Sequence, residues 1–273
     1  MNNKINEKVA IIGLGKMGGI LLRAFLDQGL IEKSQVRATV RHQRNAEKLA
    51  NEHGIEVSTD NRRVSEWADL ILLCVKPKTV LEVLETTGPN FRPGQVLISV
   101  AASVSTSQIE HYLKSGVSVI RAMPNTPCSV GQGMTAICRG QSTDEMHVKL
   151  AGNLFDSVGR SVVVDEVHFD AVTGLSASGP AFIYIILESL AEAGVKVGLP
   201  REVATLLAAQ TALGASQVVL ETGSHPALLK DAVTTPAGCT IDGILELEEG
   251  KLRVTLIKAV VKAAQRAGQL VVC

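Results

Sequence analysis

Apolar positions in the first half of the chain fall in short unbroken runs separated by amphipathic stretches. Residues 9–12 form a buried-strand run, and glycines lead from it into a helical pattern over 17–26. Residues 36–40 read as a second strand and 46–53 as a helix. Residues 69–75 are the clearest strand, and 95–100 and 117–121 follow at βα spacing. Two more strands, 134–138 and 161–164, bracket a helix near 145–157. Strands apolar on both faces that alternate with helices predict a doubly wound, mainly parallel sheet covered on both sides.

Beyond Asp165 the strand signals fade. Residues 182–193, 202–220 and 252–267 carry helical periodicity, and Pro200 suits the first turn of the second helix. That helix carries Ala204, Ala208, Ala209, Ala212, Gly214 and Ala215. Small side chains allow another helix to approach closely, within the chain or across a subunit interface. The change of texture predicts an α/β domain over 1–164 and an all-α domain over 165–273.

Composition narrows the partners. Hydrophobic residues make up 46% and aromatic ones 3%, so the core is aliphatic and alanine-rich. A formal net charge of +0 gives no reason to expect a nucleic-acid partner. Cys74, Cys128, Cys138, Cys239 and Cys273 show no CxxC spacing and no paired histidine. No metal site is expected, and the scattered thiols point to a reducing, cytoplasmic setting. Residues 1–7 carry no apolar stretch of the kind that opens a secretory signal. No uninterrupted apolar run approaches the roughly 20 residues needed to span a membrane, so no membrane association is expected.

The first chemical motif is Gly13-Leu14-Gly15-Lys16-Met17-Gly18. This G-x-G-x-x-G follows a strand and opens a helix, the context that ties it to dinucleotide phosphates. Gly13 allows the tight turn, Gly15 lets a pyrophosphate approach the backbone, and Gly18 lets helix and strand pack closely. The second strand then ends in Val40-Arg41-His42-Gln43-Arg44. An NAD site usually places a carboxylate here for the ribose 2′-hydroxyl. Two arginines in its place suit a 2′-phosphate, which predicts NADPH, with NADH as a weaker substitute.

Other segments end strands at the edge where open parallel sheets bind ligands. Cys74-Val75-Lys76-Pro77 is one, with Lys76 near the expected cofactor. Ser99-Val100-Ala101-Ala102 has small residues that would let a flat nicotinamide ring lie close. Arg121-Ala-Met-Pro-Asn-Thr-Pro127 makes a stiff loop in which the Asn125 amide faces the same ring edge.

The last fifth of the chain holds a polar hinge, residues 231–244, between two helical segments. Thr235-Pro236-Ala237-Gly238-Cys239-Thr240 runs straight into an apolar-periodic stretch and so reads as a turn entering a helix. Free N–H groups and the helix dipole suit an anion there, and the hydroxyls add directed donors. The alternative is an ordinary turn with a threonine cap. His225-Pro226 reads as the structural start of a short helix, and Glu246, Glu248 and Glu249 as a solvated helix face.

Taken together, residues 11–18, 74–77, 121–127, 171–181, 225–226 and 233–248 make the chain resemble the pyrroline-5-carboxylate reductases. The resemblance covers nearly the whole length. It implies a Rossmann domain, a helical domain that builds dimers and often rings of dimers, and an active site shared between subunits. By position it implies that Ile12, Gly13, Leu14, Gly15, Lys16 and Met17 hold the pyrophosphate. Arg41 would lie by the adenosine ribose. Asn61, Cys74, Val75, Lys76, Pro77, Val100, Ala101 and Ala102 would touch the cofactor. Thr235, Gly238, Cys239 and Thr240 would cradle the substrate. The chain departs from the family pattern at Ala177, Ala232, Thr235 and Ala237, and carries Cys239 at the variable position of the substrate loop.

The implied substrate is a cyclic imine carrying a carboxylate. Its protonated imine is already electrophilic, so positioning does most of the work. A hydroxyl near the ring nitrogen would orient it and pass a proton, and Thr240, read as capping its helix, is the candidate. Gly13–Gly18 also fits β-hydroxyacid dehydrogenases, but those need a catalytic lysine on the first interdomain helix, and residues 174–190 contain none. A reductase of a related cyclic imine is the nearer alternative. A non-catalytic, nucleotide-sensing paralogue would have lost the loop hydroxyls, whereas Thr235 and Thr240 are both present.

Overall fold

A computed structural model describes residues 4–269; residues 1–3 of the opening segment and Cys273 lie outside them. Eight strands form one sheet: β1 (Val9–Ile12), β2 (Val36–Thr39), β3 (Glu56–Ser58), β4 (Leu70–Leu73), β5 (Val96–Ser99), β6 (Ser118–Met123), β7 (Gly133–Arg139) and β8 (Gly159–Val163). Their spatial order is β3-β2-β1-β4-β5-β6-β7-β8. All neighbours are parallel except β6 and β7, whose connection is too short for a crossover. The order reverses between β1 and β4, which makes a ligand crevice at the carboxyl ends of those strands.

Burial on both faces explains the unbroken apolar runs. Val9 and Ile11 pack with Leu21, Phe25 and Leu72, while Ala10 and Ile12 pack with Ile71, Leu73 and Leu84 on the opposite side. The covering helices are α1 (Lys16–Asp27), α2 (Gln43–His53), α3 (Asn61–Trp67), α4 (Pro77–Thr87), α5 (Thr106–Glu110) and α6 (Glu145–Asp156). Helix α2 begins three residues earlier than its periodicity suggests. Ala46 is its first buried residue, and the turn before it is polar and exposed. Strand β3 gives no sequence signal because it is three residues long and half-exposed at the sheet edge.

The chain continues through α7 (Phe169–Val172), a π-helical turn (Thr173–Ala177), α8 (Gly179–Lys196), α9 (Arg201–Thr222), α10 (Pro226–Ala232), α11 (Cys239–Glu249) and α12 (Leu252–Gln269). Compactness separates two units: the chain through Ser178 together with the segment from Lys262 onward, and Gly179–Val261. The texture change at 165 falls just after β8, whereas the first compact unit runs on through the π-turn. Pro200 stands at the N-cap of α9, one residue before its first turn.

The small residues of α9 divide between two surroundings. Ala204 and Ala208 are buried, and a Cβ on Gly194 of α8 would lie 2.8 Å from that of Ala204. The two helices therefore pack closely within the chain. Ala209 and Ala215 face outward, along with Leu206, Leu207 and Leu213.

Two helical stretches, Glu166–Lys196 and Arg201–Thr222, are long and apolar enough to cross a membrane by length and composition alone, a test that core or interface helices of a globular protein also pass. Counting uninterrupted runs misses them because isolated polar residues break each stretch while leaving its average high.

Candidate active site

The phosphate turn is built by three glycines with different tasks. Gly13 has φ +97°, and a Cβ there would lie 2.8 Å from Val75 Cγ1. Gly15 is the N-cap of α1, with open space where its Cβ would stand. Gly18 is buried, and a Cβ on it would collide with the Gly13 carbonyl oxygen and lie 3.3 Å from Cys74 Cβ. The Gly13 and Leu14 N–H groups donate to Thr39 O at 3.2 and 2.8 Å, which ties the turn to β2. Gly19 N makes the first helical bond, to Gly15 O at 2.8 Å. No side chain caps α1, and no acid stands in its first turn. The N–H groups of Lys16, Met17 and Gly18 thus face the space left open at Gly15. This is a cradle that a phosphate fits and a side chain would fill.

A second, basic feature lies at the exits of β2 and β3. Arg41, His42, Gln43, Arg44 and Thr59 line an open cleft of ≈ 700 Å³. All five are exposed, and the lining includes no carboxylate. Among the described residues neither Arg41 nor Arg44 takes part in an ion pair. His42 is the N-cap of α2 without a side-chain hydrogen bond, so the first turn of α2 also faces this region uncapped. The donor set fits a 2′-phosphate. Gln43 and Thr59 escape the sequence reading because α2 starts early and β3 is silent. The signal available is a polar run directly after each strand. Asn61 opens α3 two residues beyond Thr59, held by Asp60, whose carboxylate caps Arg63 N at 3.0 Å.

The remaining sheet-edge residues follow β4, β5 and β6. Cys74 is half-buried against the apolar core, which pushes its thiol up to about 12. Val75 is half-buried, Lys76 is the exposed N-cap of α4, and Pro77 is its first residue. Ala101 is buried, Val100 and Ala102 are half-buried, and Val100 N donates to Leu73 O at 3.1 Å. Asn125 departs from the expectation of an amide free to meet a ring. Its Oδ1 accepts from Met134 N at 2.9 Å, and its Nδ2 donates to Ser176 O at 3.2 Å.

In the helical unit, α10 ends at Ala232 and α11 begins at Cys239. Thr234 Oγ1 donates back to Lys230 O at 2.8 Å and Gly238 N to Thr235 O at 3.1 Å, closing the loop on itself. Ala237 sits at φ +57°, the left-handed region that favours glycine. The N-cap of α11 is Gly238, with no side-chain cap bond, which corrects the reading of Thr240 as the cap. Thr240 is instead the second helical residue and half-buried, while Thr235 and Cys239 are exposed. The first N–H groups of α11 therefore stay available beside two threonine hydroxyls. His225 is the N-cap of α10, its Nδ1 accepting from Ala227 N at 3.2 Å, a structural task.

Known proteins match both parts of the chain. Residues 166–270 match the family described as pyrroline-5-carboxylate reductase dimerisation, and residues 8–103 match NADP oxidoreductase coenzyme F420-dependent. The chain is 40% identical to pyrroline-5-carboxylate reductase of Methanosarcina acetivorans over 97% of its own length and 98% of that protein. It is 39% identical to pyrroline-5-carboxylate reductase of Arabidopsis thaliana, covering 96% and 95%. The crystal structure of Plasmodium falciparum pyrroline carboxylate reductase with NADP bound superposes with a TM-score of 0.88 at 28% identity, covering 98% of this chain and 99% of that one. The Coxiella burnetii pyrroline-5-carboxylate reductase gives 0.87 at 34% identity, covering 97% and 99%. With a mainly parallel nucleotide-binding sheet leading into a helical dimerisation domain, the chain belongs to the pyrroline-5-carboxylate reductase family.

Proposed function

We propose that this chain carries out the last step of proline biosynthesis, reduction of 1-pyrroline-5-carboxylate to L-proline with NADPH, through two anion-holding helix starts and one weak acid. Residues 1–164 hold the cofactor, and 165–273 hold the substrate and form the dimer. The observation that carries the reading is the pairing of the uncapped α1 cradle with a basic cleft that lacks a carboxylate. Ile12, Gly13, Leu14, Gly15, Lys16, Met17 and Gly18 hold the pyrophosphate, the N–H groups of α1 doing most of the binding. Arg41 and Arg44 hold the 2′-phosphate, with Asn61 near the adenosine. Val75, Lys76, Pro77, Val100, Ala101 and Ala102 wall the nicotinamide side and exclude water.

When bound, NADPH supplies a hydride to the imine carbon while the ring nitrogen holds or takes a proton. Gly238 N is already engaged with Thr235 O, so the N–H groups of Cys239 and Thr240 hold the substrate carboxylate, with the Thr235 hydroxyl beside them. Thr240 Oγ1 orients the ring nitrogen and relays its proton from solvent. The dimer follows from the family's dimerisation domain, and we extend it to a ring of dimers. The four described cysteines are free thiols, which supports a reducing, cytoplasmic setting.

The direct test is NADPH oxidation by the purified dimer with pyrroline-5-carboxylate, run beside the six-membered ring homologue. Turnover of the five-membered ring is expected to dominate; turnover of the six-membered ring alone would reassign the substrate. Thr240→Ala is expected to lower kcat about 100-fold, the low end for a positioned proton donor, without abolishing turnover. Wild-type kcat and KM in that variant would remove Thr240 from the mechanism. Arg41→Ala/Arg44→Ala is expected to raise the NADPH KM roughly 30-fold and to leave the NADH KM within about threefold, because only the phosphate loses its partners. Equal increases for the two cofactors would show that the arginines do not read the phosphate.

A further inference from the structure

Helical geometry pairs the carbonyl of residue i with the N–H of residue i+4. For Ser176 that partner is Pro180, which has no N–H. Ser176 lies in the π-helical turn Thr173–Ala177, where Ser178 N bonds back to Thr173 O at 3.0 Å. The donor that Ser176 O meets instead comes from a distant segment. Asn125 Nδ2 reaches it at 3.2 Å and lies 3.5 Å from Ser176 Oγ. Asn125 is only 9% exposed, and its Oδ1 is held by Met134 N at the start of β7. Both ends of the amide are therefore fixed by backbone groups of two different elements.

We propose that Asn125 is a positioning residue that replaces the hydrogen bond Pro180 removes. It locks the π-turn to the loop that leaves β6 at the cofactor edge of the sheet. The turn is the last segment of the first compact unit before the chain enters α8 and the second one, so this bond fixes the point at which the chain leaves the first unit. The proposed substrate loop, residues 233–240, lies further along the chain in the second unit. Loosening that exit point is expected to lower kcat and to leave the hold on the cofactor intact. A π-turn at a functional junction suits this task, since it carries carbonyls away from regular helical partners. The kcat part of this inference rests on the reductase reading; the stability part does not.

The test is a double-mutant cycle in the full-length dimer with Asn125→Ala, Pro180→Ala and both together. Asn125→Ala is expected to lower kcat about 30-fold while the NADPH Kd, read by fluorescence titration, stays within about threefold. Pro180→Ala restores an N–H four residues after Ser176. The double variant is therefore expected to regain at least about fivefold of the lost kcat and part of the lost denaturant midpoint. Asn125→Asp removes the donor while keeping the acceptor for Met134, and serves the same cycle if the alanine variant fails to fold. An NADPH Kd that rises in step with the loss of kcat would make Asn125 a direct cofactor contact and overturn the proposal. So would a double variant no better than Asn125→Ala in both kcat and unfolding midpoint. Recovery of the midpoint without any turnover of pyrroline-5-carboxylate, wild type included, would instead overturn the substrate assignment.

Discussion

Gly18→Ala is expected to weaken NADPH binding at least about 100-fold, roughly 3 kcal/mol, while the protein still folds. The added methyl meets the Gly13 carbonyl oxygen, a backbone atom that cannot rotate away, and stands 3.3 Å from both Cys74 Cβ and Ile11 Cγ2. Relief requires α1 to move off β1, and that motion carries the Lys16 and Met17 N–H groups out of the cradle. The control is Gly19→Ala one residue on, where no atom lies within 4 Å of the new Cβ and binding is expected to stay within about threefold. Fluorescence titration of NADPH with both variants, beside far-UV circular dichroism, separates a lost cradle from a lost fold. A Gly18→Ala enzyme that binds NADPH like the wild type would show that the helix start is not the phosphate site.

Glu166→Ala is expected to destabilise the protein by about 3 kcal/mol and to lower Tm by on the order of 10 °C. Arg121 lies within β6 with 5% exposure, its guanidinium carbon 4.5 Å from the Phe169 ring centroid. Its Nη1 donates to Glu166 at 3.1 Å, while Nε and Nη2 are buried without partners. Glu166 also accepts from Thr106 N and Thr106 Oγ1, each at 2.8 Å, and so fastens the start of α5 just beyond the Val100–Ala102 segment. Removing the carboxylate leaves a desolvated cation with no counter-charge, the costly half of a buried pair. Arg121→Met/Glu166→Gln removes both charges and is expected to recover most of the loss. Breaking the exposed Lys4–Glu32 pair, by contrast, should change stability by under about 1 kcal/mol. Denaturant unfolding of the four proteins checks this; a Glu166→Ala loss under about 1 kcal/mol would mean that water already solvates Arg121.

The phosphate turn and the Arg121–Glu166 pair differ in how far the sequence announces them. Gly13, Gly15 and Gly18 can be read directly because their requirements are local: a positive φ, an open N-cap and a close helix–strand approach within one βαβ unit. Arg41 and Arg44 are legible for the same reason, since one lies in the turn after β2 and the other in the first turn of α2. The turn into α11 shows its Pro-Ala-Gly entry in the sequence, although the capping position belongs to Gly238 and not Thr240. Strand β3 stays silent because three half-exposed residues carry no periodicity, and the loss of Thr59 from the expected cleft follows from that.

Arg121 and Asn125 mark the other limit. In sequence Arg121 opens a stiff loop, and Asn125 offers an amide to a ligand. In the fold, Arg121 is buried against Glu166, 45 positions away, and Asn125 is bound to Ser176, 51 positions away. Periodicity and turn chemistry report how a segment prefers to bend and which side it hides, because those preferences act between near neighbours. They yielded the doubly wound sheet, the helical second half and the two helix starts. Which polar group loses its water, and which distant partner must then satisfy it, depends on segments that meet only when the chain closes. A lone arginine or asparagine carries no local trace of that encounter, so its structural task emerged from the packing.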